Sequence, residues 1–113
     1  MKKVFIIILL IVGVYACTKQ KATETIVDCS GPAKSFITNI NPIVQASCSN
    51  SSGCHGSGSG NGPGPLLNYS QVFNARTDIR SAIASGRMPL NGSLTALQKN
   101  AILCWIDSGA PNN

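Results

Sequence analysis

The stretch Cys48–His55 concentrates the residues of this sequence that can do chemistry. It holds two thiols, Cys48 and Cys54, and the only histidine of the chain, His55, directly after the second thiol. A histidine that follows a cysteine, with another cysteine upstream, is the arrangement that attaches haem covalently. The two thiols add to the haem vinyl groups, and the adjacent imidazole becomes an axial ligand of the iron. The stretch therefore predicts haem attachment at these three residues.

The spacing of the two thiols departs from the common motif. Five residues separate Cys48 from Cys54, whereas two residues separate the cysteines of the usual motif. Both thiols must reach vinyl groups at a fixed separation on one rigid ring. The longer spacing is compatible with this only if residues 49–53 bulge outward, which their small side chains allow. The sequence leaves open whether Cys48 bonds to a vinyl group or to Cys54.

The N-terminal segment predicts export and a lipid anchor. Lys2 and Lys3 precede an apolar run, Val4–Val14, which is too short for a confident membrane span. The following Val14–Cys17 resembles a bacterial lipobox, in which the cysteine is acylated and becomes the mature N-terminus. We therefore expect a signal peptide over 1–16, a lipid-anchored flexible tether over 17–34 and one folded domain over 35–113. The expected location is the bacterial cell envelope, facing the periplasm or the outer surface.

Composition and charge limit the classes of partner. The formal net charge of +5 includes two lysines that processing would remove, so the mature chain is only weakly basic. No basic run with interleaved aromatic residues indicates nucleic-acid binding. The four acidic residues are scattered, and no Ser/His/Asp grouping can be argued with His55 engaged at the thiols. The sequence thus predicts a protein that is not an enzyme and does not bind nucleic acid.

Helical patterns recur through the rest of the chain and predict an all-α fold of three to four short helices. Ile40, Ile43 and Val44 share one helix face, so we expect a helix from about residue 40 to 47, capped by Asn39, that delivers Cys48 at its end. A glycine-rich loop spans Gly53–Pro65. Beyond it, two short helices are predicted with Ser70 and Thr77 as caps, the second stopping at Gly86.

The closing helix carries the clearest signals. Thr95 and Gln98 form a capping box, and Gly109 followed by Pro111 predicts the end of the helix. The predicted inward stripe contains Leu97, Ala101, Cys104 and Trp105. No period-two alternation indicates a strand.

The order of these features resembles class I cytochrome c domains. Those domains have a short helix leading into a Cys…Cys-His, a glycine-containing loop, a Met-Pro segment (here Met88 and Pro89) and a closing amphipathic helix. The closing 101–111 also looks like the ending of cytochrome c-like domains in bacterial surface and periplasmic proteins. The resemblance covers about Phe36 to Pro111. It implies one covalent haem c with thioethers at Cys48 and Cys54, and iron ligated by His55 and Met88.

The resemblance carries further expectations. Because the first and last helices of the cytochrome c fold pack together, Cys29 and Cys104 are expected to form a disulfide. Ligation by both His55 and Met88 leaves no open iron position, which favours single-electron transfer to redox partner proteins. Cytochrome c maturation proteins would be a further partner. Haem would offer an apolar face to eight side chains, namely Ile40, Val44, Leu67, Tyr69, Phe73, Ile83, Leu97 and Trp105. Candidate partners of its propionates are Arg76, Arg80 and Arg87.

Two alternatives use the same residues without haem. The first is a lipoprotein binding module held by two disulfides, Cys48–Cys54 and Cys29–Cys104, which explains the even number of cysteines beyond Cys17. It does not explain the position of His55 or the Met-Pro segment. The second is a zinc site at Cys48, Cys54 and His55, for which the adjacent Cys54 and His55 are awkward around a tetrahedral ion.

Overall fold

Helices and loops make up the part of the chain that the computed structural model describes, residues 26–113, and that part contains no β-strand. A π-helical turn, Phe36–Ile40, leads directly into the first α-helix. The α-helices in chain order are α1, Asn41–Ser47; α2, Tyr69–Asn74; α3, Arg76–Ala84; and α4, Ala96–Asp107. The predicted all-α class is confirmed. The predicted signal peptide and the lipidation site Cys17 lie outside the described residues.

Local sequence signals mark the start of α4 and the C-terminal ends of α3 and α4 as predicted. The Thr95 side chain accepts a hydrogen bond from the backbone N–H of Gln98, and the Gln98 side chain accepts one from the backbone N–H of Thr95. Gly86 and Gly109 follow the last turns of α3 and α4 with positive φ angles of 73° and 102°. The capping box and both glycine stops are confirmed.

Three predicted caps are wrong. The first helical segment begins at Phe36, so Ser35 caps it and Asn39 lies inside the π-helical turn. Asn68 caps α2, its side chain accepting from Gln71 N at 3.0 Å. Ser70 and Thr77 both lie within helices, and α3 begins without a side-chain cap. In each case the chain becomes helical earlier than predicted, because a polar residue upstream or the preceding helix supplies the start.

The core lies where the π-helical turn, α2 and α4 meet. Trp105 is fully buried, its ring centroid 5.6 Å from that of Phe36 and 6.4 Å from that of Tyr69. The indole N–H donates to Pro111 O at 2.9 Å, and the Tyr69 hydroxyl donates to Ala110 O at 2.9 Å. These two hydrogen bonds hold the segment after α4 against the aromatic rings.

Leu97 does not belong to the inward stripe of α4, and this part of the prediction is wrong. Its side chain is 82% exposed, whereas Ala101, Ile102, Leu103 and Trp105 are buried. Leu97 lies in the first turn of α4, and the buried stripe begins one turn later at Ala101.

A disulfide joins Cys29 to Cys104, the pair expected from the resemblance. The bond links the segment before the π-helical turn to α4 across 75 residues, with the two Cα atoms 5.5 Å apart. Val27 also packs against the core. Of the helices in residues 26–113, none has the length and apolar character needed to cross a membrane.

Candidate functional site

A cavity of about 330 Å³ lies between α3, the glycine-rich loop and the segment that follows α3. Aliphatic side chains of Leu66, Ile79 and Ile83 form much of its wall. The other lining residues are Cys48, His55, Gly62, Pro63, Asp78, Ala82, Arg87 and Met88. The cavity is therefore mostly apolar but carries a thiol, an imidazole and a thioether.

Three of the four predicted haem-binding residues meet at this cavity. Cys48 comes from the end of α1, His55 from the glycine-rich loop and Met88 from the segment after α3. Cys54 is half-buried but does not line the cavity. Cys48 and Cys54 are both free thiols, so of the two disulfides in the haem-free alternative the structure contains only Cys29–Cys104.

Four of the five residues between the two thiols form an outward bulge. The backbone N–H of His55 donates to Cys48 O at 2.9 Å, which brings the two ends of the motif together. Residues 50–53 are exposed. Ser49 instead turns inward, and its hydroxyl donates to Leu66 O at 2.8 Å. The bulge thus keeps the extra residues out of the cavity.

Gly56 is a structural requirement that the sequence analysis missed. A Cβ atom at this position would lie 2.6 Å from Ser51 O and 2.9 Å from Ser49 O, both backbone atoms of the bulge. The backbone N–H of Gly56 donates to that same Ser51 oxygen at 2.8 Å. Only glycine allows this close approach of the two backbones. The available signal was the position of the glycine, immediately after the Cys-His pair.

The His55 ring is buried and its orientation is fixed by one hydrogen bond. The side chain is 8% exposed, and Nδ1 lies 3.0 Å from Gly64 O. Because a carbonyl oxygen can only accept, Nδ1 carries the proton in this contact. In a neutral imidazole the other nitrogen, Nε2, then has a free lone pair, which is the state that binds a metal.

Burial sets the chemistry of the Cys48 thiol. Removal from water raises the pKa of Cys48 above its ordinary value, and the nearby Cys54 raises it further. The group is therefore a protonated thiol at neutral pH. A thiol in that state is a weak nucleophile and does not oxidise readily.

Met88 reaches the cavity from a short irregular segment. Its backbone N–H donates to Ala82 O at 3.2 Å, which attaches the segment to α3. The peptide bond to Pro89 is cis, and the Met88 side chain is half-buried. The thioether is thus held near the cavity by contact with the helix that forms its wall.

The three candidate arginines have different surroundings. Arg80 donates to both carboxylate oxygens of Asp107, at 2.6 and 3.0 Å. Arg76 lies 4.0 Å from the centre of the Phe73 ring and donates to Phe73 O. Arg87 lines the cavity, as does the carboxylate of Asp78 on α3. Arg87 and Asp78 form no ion pair within 4.0 Å in residues 26–113.

A zinc site would need a group of donors that the structure does not assemble. Within the described residues, no three His, Cys, Asp or Glu side chains lie close enough together to hold one metal ion. The donors at the cavity are a thiol, an imidazole and a thioether.

Comparison with protein-family models, with curated proteins and with solved structures found no match to this chain. What the protein binds must therefore be argued from its own cavity and side chains.

Proposed function

We propose that this protein is a membrane-anchored c-type cytochrome that carries single electrons through one covalently attached haem. The observation that carries the proposal is the meeting of Cys48, His55 and Met88 at one apolar cavity. These residues come from three separate segments of the chain. A thiol, an imidazole with a free Nε2 and a thioether are the groups that such a haem requires.

The cavity also suits the cofactor in its lining. Its volume lies in the range of small-molecule pockets, and aliphatic side chains dominate its wall. Cys48 and Cys54 would supply the thioether bonds, and His55 and Met88 the axial ligands. Haem would supply the one-electron exchange. Because His55 and Met88 would occupy both axial positions, the site would favour electron transfer over oxygen chemistry.

Arg87 is the strongest candidate for contact with an acidic edge of the cofactor. Of the three arginines considered, it is the one that lines the cavity, while Arg80 is paired with Asp107 and Arg76 lies against Phe73. Arginine binds carboxylates with a planar pair of donors. We place the propionates of the haem beside Arg87.

The location and the partners of the protein follow from its N-terminal sequence. Lipidation at Cys17 would hold it at a membrane of the bacterial cell envelope, where c-type haem is attached by cytochrome c maturation proteins. Redox proteins in the same compartment would then exchange electrons with it. These parts of the proposal rest on the signal segment and on the function of the cavity.

The decisive experiment is expression of the full chain in a bacterial host with cytochrome c maturation. The denatured protein should carry the mass of one haem, and the reduced protein should have the absorption bands of a c-type cytochrome. The double variant Cys48→Ala/Cys54→Ala is the control and should carry no covalent haem. A wild-type chain without a haem mass under these conditions would overturn the proposal.

The distal ligand is tested by Met88→Ala in the loaded protein. Loss of the sulfur ligand should remove the weak Met-to-ferric-iron charge-transfer band and lower the reduction potential. Leu90→Ala is the matched control, because Leu90 is 74% exposed two residues further along the same segment. The control should keep the band. Persistence of the band in Met88→Ala would show that another group ligates the iron.

A further inference from the structure

Every backbone polar group of Cys54 and His55 has a hydrogen-bond partner, although neither residue lies in a helix. The Cys54 N–H donates to Ser51 O, and the Cys54 carbonyl accepts from the Ser59 hydroxyl. The His55 N–H donates to Cys48 O, and the His55 carbonyl accepts from the Leu66 N–H. Because His55 is buried and Cys54 is half-buried, these groups need partners within the protein. The residues that supply those partners therefore fix the backbone of the Cys54–His55 pair.

Two polar side chains of the glycine-rich loop provide much of that control. The Ser59 hydroxyl is buried, donates to Cys54 O and accepts from the backbone N–H of Asn61 at 3.2 Å. The Asn61 side-chain amide donates to Gly53 O at 2.9 Å and to Cys54 O at 3.4 Å. Ser59 and Asn61 therefore hold the two carbonyl groups that immediately precede His55.

We propose that Ser59 and Asn61 are positioning residues, which fix the backbone of Cys54 and so set the direction of the Cys54 thiol before a cofactor arrives. Backbone hydrogen bonds from Cys54 to Ser51 and from His55 to Cys48 hold the motif on the side of the exposed bulge 50–53. The hydrogen bonds from Ser59 and Asn61 hold it on the side of the glycine-rich loop.

The consequence for attachment rests on the proposed function. Formation of a thioether places the sulfur of the thiol on one carbon of a vinyl group and its hydrogen on the other, with no external oxidant or reductant. The addition at Cys54 needs the thiol aimed at that group. Cys48 lines the cavity and Cys54 does not, so the addition at Cys54 depends more on the direction of its thiol.

The first test uses the full chain without cofactor. Ser59→Ala should speed amide hydrogen exchange at His55 by about tenfold, the effect of losing a part-buried hydrogen bond to the preceding carbonyl. Asn61→Ala should speed it by a smaller factor, because its hydrogen bonds to Gly53 O and Cys54 O are exposed. Exchange at Ile102 and Trp105 in α4 should stay unchanged. The matched controls are Ser57→Ala and Asn91→Ala, since both side chains are exposed and make no hydrogen bond within residues 26–113.

The second test uses the chain loaded in a maturation host. The share of protein attached through one thioether, measured from the pyridine haemochrome maximum, should rise severalfold in Ser59→Ala and Asn61→Ala but not in the controls. The inference would be overturned if Ser59→Ala and Asn61→Ala had the same exchange rate at His55 and the same thioether ratio as Ser57→Ala. It would also be overturned if the two variants lost as much protection from exchange throughout α4 as at His55. If even the wild-type chain takes up no haem, the proposed function fails, and the exchange measurement still decides the role of Ser59 and Asn61.

Discussion

The aromatic side of the molecule is filled by its own side chains, whereas the cavity side is not. Phe36, Tyr69, Phe73 and Trp105 form one cluster with ring centroids 5.2 to 6.4 Å apart. They are all the aromatic residues of the described chain, and none of them lines the cavity. The cavity wall is aliphatic, with sulfur and imidazole groups among it.

The difference separates a side that supports folding from a side that is proposed to bind the cofactor. A domain of this length buries a smaller fraction of its surface than a large domain does, so the largest side chains contribute most when they pack together. An apolar cavity left beside such a small core forgoes packing contacts. The proposed cofactor would supply those packing contacts by completing the cavity wall. Four variants test this division, and they follow from the largest expected effect to the smallest.

Trp105→Ala should be the most damaging substitution on the aromatic side. Removing a fully buried indole should lower the free energy of unfolding by about 3–5 kcal/mol, because it leaves a large cavity and an unpartnered Pro111 carbonyl. Urea unfolding measures the change. Leu97→Ala, on the exposed face of the same helix, should change it by less than about 0.5 kcal/mol. A similar loss in both variants would contradict the assignment of the core.

Replacement of both disulfide cysteines, Cys29→Ser/Cys104→Ser, should have the next largest effect. The bond closes a loop of 75 residues, for which the expected loss of stability is about 2–4 kcal/mol. Guanidinium unfolding of the chain without cofactor measures it. Cys48→Ser/Cys54→Ser is the matched pair and should cost less than about 1 kcal/mol, since those thiols are not bonded. Equal losses would show that the two cysteine pairs do not differ in role.

Ala82→Leu should fill part of the cavity and so make the cavity side more like the aromatic side. Ala82 is 7% exposed and lines the cavity, so a larger side chain there would fill space that the cofactor is proposed to occupy. We expect the chain without cofactor to gain about 1 kcal/mol in unfolding free energy, and haem incorporation to fall. Ala84→Leu, on the exposed face of α3, should change neither. Normal haem content in Ala82→Leu would place the binding site elsewhere.

Asp107→Asn should have the smallest effect, and it should depend on pH. The hydrogen bonds and charge of Arg80 lower the pKa of the Asp107 carboxyl below its usual range. The pair therefore adds stability above the unfolded-state pKa, near 3.9, and loses it as pH falls through the lower folded value. The stability difference between wild type and Asp107→Asn should thus shrink below about pH 4. Asp78→Asn is the matched control for loss of one negative charge, because the Asp78 carboxylate forms no ion pair within residues 26–113.

Local signals in the sequence were enough to predict the all-α class, the start of α4 and the C-terminal ends of α3 and α4. The capping box of Thr95 and Gln98 and the stop at Gly109 depend on residues within a few positions of each other. Leu97 shows the limit of the same method. Helical periodicity groups it with Ala101 and Trp105, but the exposure of the first turn is decided by neighbouring segments.

The arrangement of the candidate site was only partly predictable. The Cys-His motif and the lone Met88 of the mature chain pointed to one site by residue type. Gly56, Ser59 and Asn61 were missed because their contacts join irregular backbone segments, for which the sequence has no period or fixed spacing. The selection of Arg87 likewise needed the positions of Asp107 and Phe73, which occupy the other two arginines.

The pairing of Cys29 with Cys104 affects which disulfides can form while the chain is still being made. A ribosome releases the chain from its N-terminus, so Cys48 and Cys54 appear long before Cys104. During that interval Cys29 has only incorrect partners. Rapid oxidation of the growing chain would therefore trap a disulfide from Cys29 to Cys48 or Cys54, which thiol exchange must then undo. The yield of native protein should depend on a disulfide isomerase in the compartment where it folds.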